Sequence, residues 1–160
     1  MLTSAQQAIV KADILADPTL NAFPNNSDGA FGIAALYNLQ AVPAFSVWRS
    51  SVLVSEVKKN IVWTEYVSSS ISVAERDAFN LMISNGEINY SDLNIRQGIS
   101  DLFNQAQTQT TFDQFQLMGV RLATRIEKLL ATGTGTPALP GTMGFEGNIS
   151  HQDVLLARNS

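Results

Sequence analysis

A chain of 160 residues, 45% of them hydrophobic, is long enough to bury the core of about one domain. Its net charge of -4 argues against a protein that grips nucleic acid through the phosphates, because such binding needs clustered Lys and Arg. The sequence has no cysteine, which excludes disulfides and thiolate zinc sites.

The share of charged residues is only 15%, against about 25% in an average soluble protein. Such a weakly charged surface suits a protein that is packed against others, and an ordinary globular protein with a quiet surface is the alternative. The N-terminus lacks a basic start followed by an apolar run, so no signal peptide is predicted. No run approaches 18 apolar residues, so no membrane span is predicted either.

The first predicted helix begins after Thr3 or Ser4, which can act as its N-cap. Gln6 or Gln7, three residues later, would complete a capping box. Pro18 ends this helix, because a proline ring is incompatible with a helix interior.

Residues 21–29 are dense in turn formers and are predicted to be a loop, followed by a helix over residues 29–40. Apolar and β-branched residues cluster in residues 52–66, which makes this stretch a candidate for a short β element. The same region holds both tryptophans, Trp48 and Trp63, which are either core anchors or aromatic side chains of a subunit interface.

Residues 67–72 are predicted to form a serine-rich turn, and residues 72–84 a helix that Ser72 caps. Gly86 would end that helix in a left-handed conformation. Ser91 or Asp92 would then start another helix that reaches about residue 104.

Residues 110–131 carry the longest helical pattern of the chain, with apolar residues at steps of three and four. On this predicted helix Arg121, Arg125 and Lys128 fall at i, i+4 and i+7 and form a basic stripe. The stripe has three interpretations: a solvated helix face, a set of pairs with acids of a neighbouring subunit, or a light contact with DNA in a channel.

Residues 133–160 are rich in glycine and proline and are predicted to form an extended C-terminal arm, with a short helix over residues 150–158. A flexible arm with an apolar end is typical of a docking segment, and the alternative is a frayed tail on the chain's own body. The predicted domains are therefore a helical domain over residues 1–132 and a docking arm over residues 133–160. The predicted apolar anchors of the arm are Met143, Phe145, Val154, Leu155 and Leu156.

The sequence offers no recognisable catalytic set. Its one histidine, His151, lies in the predicted arm, which makes a Ser-His-Asp triad improbable and excludes a site of several histidines. The TGTGT segment at residues 132–136 follows a helix and lacks the Lys-Ser/Thr pair of a phosphate-binding loop. A non-enzymatic protein without a cofactor or metal is therefore expected.

Four strings together carry a family resemblance: PAFSVWR at residues 43–49, DLNIRQGI at 92–99, ATRIEKLLATGTG at 123–135 and MGFEG at 143–147. With them the chain resembles a family of small structural proteins of tailed bacteriophages and prophages, from Leu2 to about Gly147. Among phage structural proteins, the size and pattern look most like a head-tail connector, or adaptor, which docks beneath the portal.

The resemblance implies a mainly α fold, a bundle of about five to six helices with the extended C-terminal arm. It implies a homo-oligomeric ring, a dodecamer, around the DNA channel in the neck of the virion, assembled in the host cytoplasm. The implied partners are the portal protein, which the arm would reach, and a downstream tail or collar protein. DNA would pass through the ring without sequence-specific binding, and no membrane contact is implied. The alternative is another virion part, such as a tail-completion, collar or capsid-decorating protein.

Overall fold

A computed structural model describes residues 1–68 and 70–160 of the chain, and 53% of the chain is helical. Ser69, inside the predicted serine-rich turn, lies outside the described residues. The prediction of a mainly α fold with a short β element is confirmed. The helices of the described residues are α1 Ser4–Ala16, α2 Pro18–Asn21, α3 Ser27–Tyr37, α4 Val54–Asn60, α5 Trp63–Tyr66, α6 Val73–Met82, α7 Leu93–Phe103, α8 Gln109–Met118, α9 Arg125–Leu130 and α10 His151–Asn159.

The described residues also form four short strands, β1 Ser46–Trp48, β2 Val52–Leu53, β3 Glu87–Ile88 and β4 Val120–Leu122. β1 pairs with β4, and β2 pairs antiparallel with β3, with Val52 opposite Ile88. The β element predicted within residues 52–66 is thus β2, at the start of that range, and α4 and α5 occupy most of the remainder.

The chain divides into two compact units. Unit 1 consists of Met1–Val47 and Leu122–Ser160, and unit 2 of Trp48–Arg121. This division differs from the predicted body over residues 1–132 and arm over residues 133–160, because the C-terminal residues belong to the same unit as the N-terminal helices.

Local capping signals set the starts of the helices in unit 1. Thr3 and Gln6 form the predicted capping box of α1. Pro18 stands at the first position of α2, where its missing N–H costs nothing, and Asp17 caps that helix through Thr19 and Leu20. α3 begins two residues earlier than predicted, because the side chain of Asn26 is the N-cap.

The C-terminal residues complete the core of unit 1. Ile149 is 2% exposed and Val154 and Ala157 are fully buried, where α10 packs against α1 and α3. At the N-terminus of α10, Asp153 accepts a hydrogen bond from the Leu2 amide at 3.1 Å. The prediction that residues 133–160 form an extended arm with a free apolar end is therefore wrong, since these apolar residues gain more by filling their own unit's core than by remaining in solvent.

Specific polar contacts also hold the segment between α9 and α10. Asn38 donates to the Ile149 carbonyl at 3.0 Å and accepts from the Ile149 amide at 2.9 Å. Glu127, 1% exposed, accepts from the Gly147 amide at 2.9 Å. The segment has little regular secondary structure, yet its backbone is tied to unit 1 at several points.

Unit 2 is organised around aromatic side chains. Phe79 of α6, Phe103 of α7 and Phe115 of α8 are each buried to 1% exposure or less, with ring centroids 5.2 to 6.0 Å apart. Ser72 and Glu75 form a capping box at the predicted start of α6. The capping box sets where α6 begins, and the three helices pack together at the shared aromatic cluster.

The long helix predicted over residues 110–131 is wrong, because the structure divides it into α8, β4 and α9. Gly119 ends α8, and its backbone lies so close to the Tyr90 ring that an added Cβ would stand 2.3 Å from it. Thr124 then forms a capping box with Glu127 and starts α9 as a new helix. The apolar spacing of three and four continues through this break, so periodicity alone did not reveal it.

Candidate functional site

The most concentrated group of charges in unit 1 joins α1, α2 and α9. Arg125 Nη2 lies 3.1 Å from Asp13 Oδ2 and 2.8 Å from Asp17 Oδ2. The Tyr37 hydroxyl donates to Asp13 Oδ2 at 2.8 Å, and the Arg125 guanidinium lies 5.2 Å from the centre of the Tyr37 ring. One arginine therefore links two acids that are 108 and 112 residues away in sequence.

Two ionisable groups in this cluster have shifted pKa values. The hydrogen bond from Arg125 holds the pKa of Asp17 below its ordinary value. Burial, followed by the hydrogen bond to Asp13, raises the pKa of Tyr37. At neutral pH Asp17 is consequently an anion and Tyr37 a neutral donor.

The cluster forms one side of a cavity of about 480 Å³ in unit 1. The polar lining consists of Asp13, Asp17, Gln40, Arg125 and Lys128, and the apolar lining of Leu36, Leu39, Ala41, Val42 and Leu129. Its two acids and two bases give the lining no formal net charge. We call this cavity, with these ten lining residues, the socket.

One hydrogen-bond acceptor of the socket and part of its apolar rim are open to a ligand. Asp13 Oδ1 has no hydrogen-bond partner among the residues that the structure describes, whereas Asp13 Oδ2 accepts two bonds. At the rim, Leu39 is 59% and Val42 is 92% exposed. The socket combines exposed apolar side chains with an acceptor and a guanidinium, which suits binding of an apolar group with a polar tip.

The ionisable side chains of the socket are two carboxylates, a guanidinium and an amine. None of its lining residues is a Ser, Thr, His or Cys, so it has no hydroxyl or thiol nucleophile and no imidazole base. The residues that the structure describes contain no group of three or more His, Cys, Asp or Glu that could hold a metal ion.

The three residues of the predicted basic stripe do not share one helix. Arg121 lies in β4 of unit 2, while Arg125 and Lys128 lie in α9 of unit 1. Arg125 pairs with acids of its own chain, and Lys128 Nζ donates to the Pro43 carbonyl at 3.0 Å. The two residues of α9 thus line the socket.

The five predicted docking anchors differ in their accessibility. Val154 is fully buried, and Phe145 and Leu155 pack partly buried against the core of unit 1. Met143 is half-buried, and Leu156 is 47% exposed. The five side chains consequently do not form a free apolar end.

The two tryptophans of unit 2 have different environments. Trp48 packs against the core of unit 2, and the Arg96 guanidinium lies 4.6 Å from the centre of its ring. Trp63, in α5, is 53% exposed and makes an edge contact with Tyr66 at 5.7 Å between ring centroids. Trp48 matches a core anchor, and Trp63 is the one that is accessible to a partner.

Sequence reasoning missed Asp13, Asp17 and Tyr37 as functional candidates. Asp13 and Asp17 are four residues apart, and the position of Asp17 before Pro18 indicates an N-cap, but neither signal points to Arg125. The partnership depends on tertiary contacts over more than 100 residues.

Comparisons of the chain with family models, curated proteins and solved structures found no match. Among the described residues, no helix has both the length and the apolar character that crossing a membrane requires.

Proposed function

We propose that this chain is a non-enzymatic structural protein of a tailed-phage virion, a head-tail connector that forms a ring beneath the portal. The proposal rests on the four strings that resemble the phage family, and on a surface suited to contact with other subunits. DNA would pass through the ring without sequence-specific contacts, as expected for a chain with a net charge of -4.

The observation that carries the proposal is the apolar surface of the folded chain. Among the residues that the structure describes, sixteen large apolar ones are at least 45% exposed, including Leu81 at 75%, Leu117 at 79% and Val42 at 92%. Single exposed apolar residues are normal on a soluble protein. Here they accompany a charged share of 15%, well under the usual value of about 25%, so few charges surround them.

Contacts with the portal and with neighbouring subunits would come from folded surfaces. Since α10 fills the core of unit 1, releasing it would expose Val154 and Ala157 and destabilise the unit. A connector built from this chain therefore assembles through its exposed side chains and keeps its C-terminal helix in place.

The test is to purify the full chain alone and with the portal protein encoded by the same phage or prophage. Native mass spectrometry and negative-stain microscopy would measure stoichiometry. A twelve-fold ring that binds the portal supports the connector, while a six-fold ring indicates a tail-completion or collar role. A chain that stays monomeric with and without the portal contradicts the proposal.

A further inference from the structure

We propose that the socket of one copy binds the Trp63 side chain of a second copy. This inference rests on the proposed function, because it supplies the contact between neighbouring subunits of the ring. It assigns the accessible tryptophan as the anchor and the charged cavity of unit 1 as its binding site.

Trp63 has the features of an interface anchor. Its side chain is 53% exposed, and its indole N–H has no hydrogen-bond partner among the described residues. The Val67 amide donates to the Trp63 carbonyl at 3.1 Å, so the backbone is held, and Val67 itself is 68% exposed beside it. Tryptophan is enriched among the residues that dominate binding energy, because it buries a large rigid surface with one polar atom.

The socket offers a complementary group for each part of an indole. The apolar walls, which include Leu36, Leu39 and Leu129, can cover the ring. Asp13 Oδ1, which has no partner among the residues described, can accept the indole N–H. Arg125 can approach the ring face, and tryptophan is the best aromatic partner for a guanidinium.

The size and charge of the socket also favour this occupant. Its volume of about 480 Å³ lies within the range of roughly 300–1,000 Å³ that small-molecule sites occupy, so it is large enough for an indole. An anionic anchor would meet Asp13 and Asp17, and a cationic one would meet Arg125 and Lys128. A neutral aromatic side chain with one N–H avoids both repulsions.

The anchor and the socket are different surfaces, so the contact is heterologous. Each copy that inserts Trp63 into one neighbour leaves its own socket for another. Such contacts form a ring when the rotation between copies closes, as the proposed connector requires. A two-fold dimer through a single self-complementary patch would not have this property.

Sedimentation velocity on the full chain tests the inference with two variants. Trp63→Ala removes the anchor. Val42→Asp replaces an apolar side chain at the rim of the socket with a carboxylate, which would have to lose water when an indole covers the rim. Val42 is 92% and Trp63 53% exposed, so neither change opens a buried core. We expect each variant to associate at least tenfold more weakly than the wild type. Lys58→Ala, which truncates a long exposed side chain of α4 in the same unit as Trp63, is the control and should change association less than twofold.

Mixing the two variants gives the sharpest outcome. Trp63→Ala keeps an intact socket and Val42→Asp keeps an intact anchor, so one contact forms and the mixture should stop at heterodimers. If the wild type forms rings and both variants do too, the inference is wrong while the connector proposal stands. If the wild type binds the portal through Trp63 but never a second copy, the occupant is the portal and the inference is overturned.

Discussion

Val154 provides the most direct test of whether the C-terminal helix belongs to the core of unit 1. Val154→Ala removes two methyl groups from a fully buried position. At about 0.8 kcal/mol for each buried carbon, the transfer loss is about 1.6 kcal/mol. A residual cavity adds to this loss, and the better helix propensity of alanine returns about 0.5 kcal/mol, so the net cost is about 2 kcal/mol.

The assay must report on unit 1 separately. Trp48 and Trp63 both lie in unit 2, so tryptophan fluorescence during urea unfolding follows that unit. Hydrogen exchange measured by mass spectrometry on peptides of α1 and α3 reports on unit 1. We expect Val154→Ala to lower the free energy of opening in those peptides by about 2 kcal/mol and to leave unit 2 unchanged.

Leu156→Ala is the matched control, because the two residues share α10 and Leu156 is 47% exposed. Its effect should stay within about 0.5 kcal/mol, as for most surface substitutions. If residues 133–160 were a free docking arm, neither substitution would alter the hydrogen exchange of α1 and α3. Equal protection in the two variants would therefore refute the packing argument.

Three further predictions follow from the same contacts. Truncation after Thr132 should abolish the exchange protection of α1 and α3, because it deletes α10; a chain that keeps full protection would contradict this. Tyr90→Phe should leave the urea midpoint unchanged or raise it, since the Tyr90 hydroxyl is buried with no partner among the described residues, and a clear loss would show a missed hydrogen bond. Asp17 has a lowered pKa, so its stabilising effect is present above its ordinary value of 3.8 and is lost as pH falls through the lower folded value. Unfolding measured against pH should therefore be less acid-sensitive in Asp17→Asn than in the wild type, and equal slopes would contradict the pairing with Arg125.

Several helix starts could be predicted from short stretches of sequence. The capping box of Thr3 and Gln6, the helix boundary at Pro18 and the cap at Ser72 depend on residues within four positions of each other. The groups that satisfy the first backbone N–H groups of a helix are supplied locally, so the sequence contains the whole interaction.

The helix predicted over residues 110–131 shows where periodicity fails. Apolar residues spaced three or four positions apart fit a helix. The same spacing also fits two successive helices when the break between them is short. Gly119, which ends α8 where its backbone lies against the Tyr90 ring, and the new cap at Thr124 mark the break. The first of these involves a residue that is distant in sequence.

The C-terminal segment shows the limit of composition. The glycine and proline content of a segment indicates how flexible its unfolded backbone is. It does not indicate whether a folded surface is available to bind the segment. Here α1 and α3 provide that surface, with Asn38 and Glu127 as hydrogen-bond partners along the way. Burial of Ile149, Val154 and Ala157 offsets the entropy of ordering the segment.

By itself, the sequence determined the mainly helical class, many of the helix ends and a weakly charged character, because each depends on composition or on neighbouring residues. Only the tertiary structure decided that the two ends of the chain share one unit and that Arg125 bridges Asp13 and Asp17. Those features arise when segments more than 100 residues apart meet, and no local pattern encodes which of them will do so.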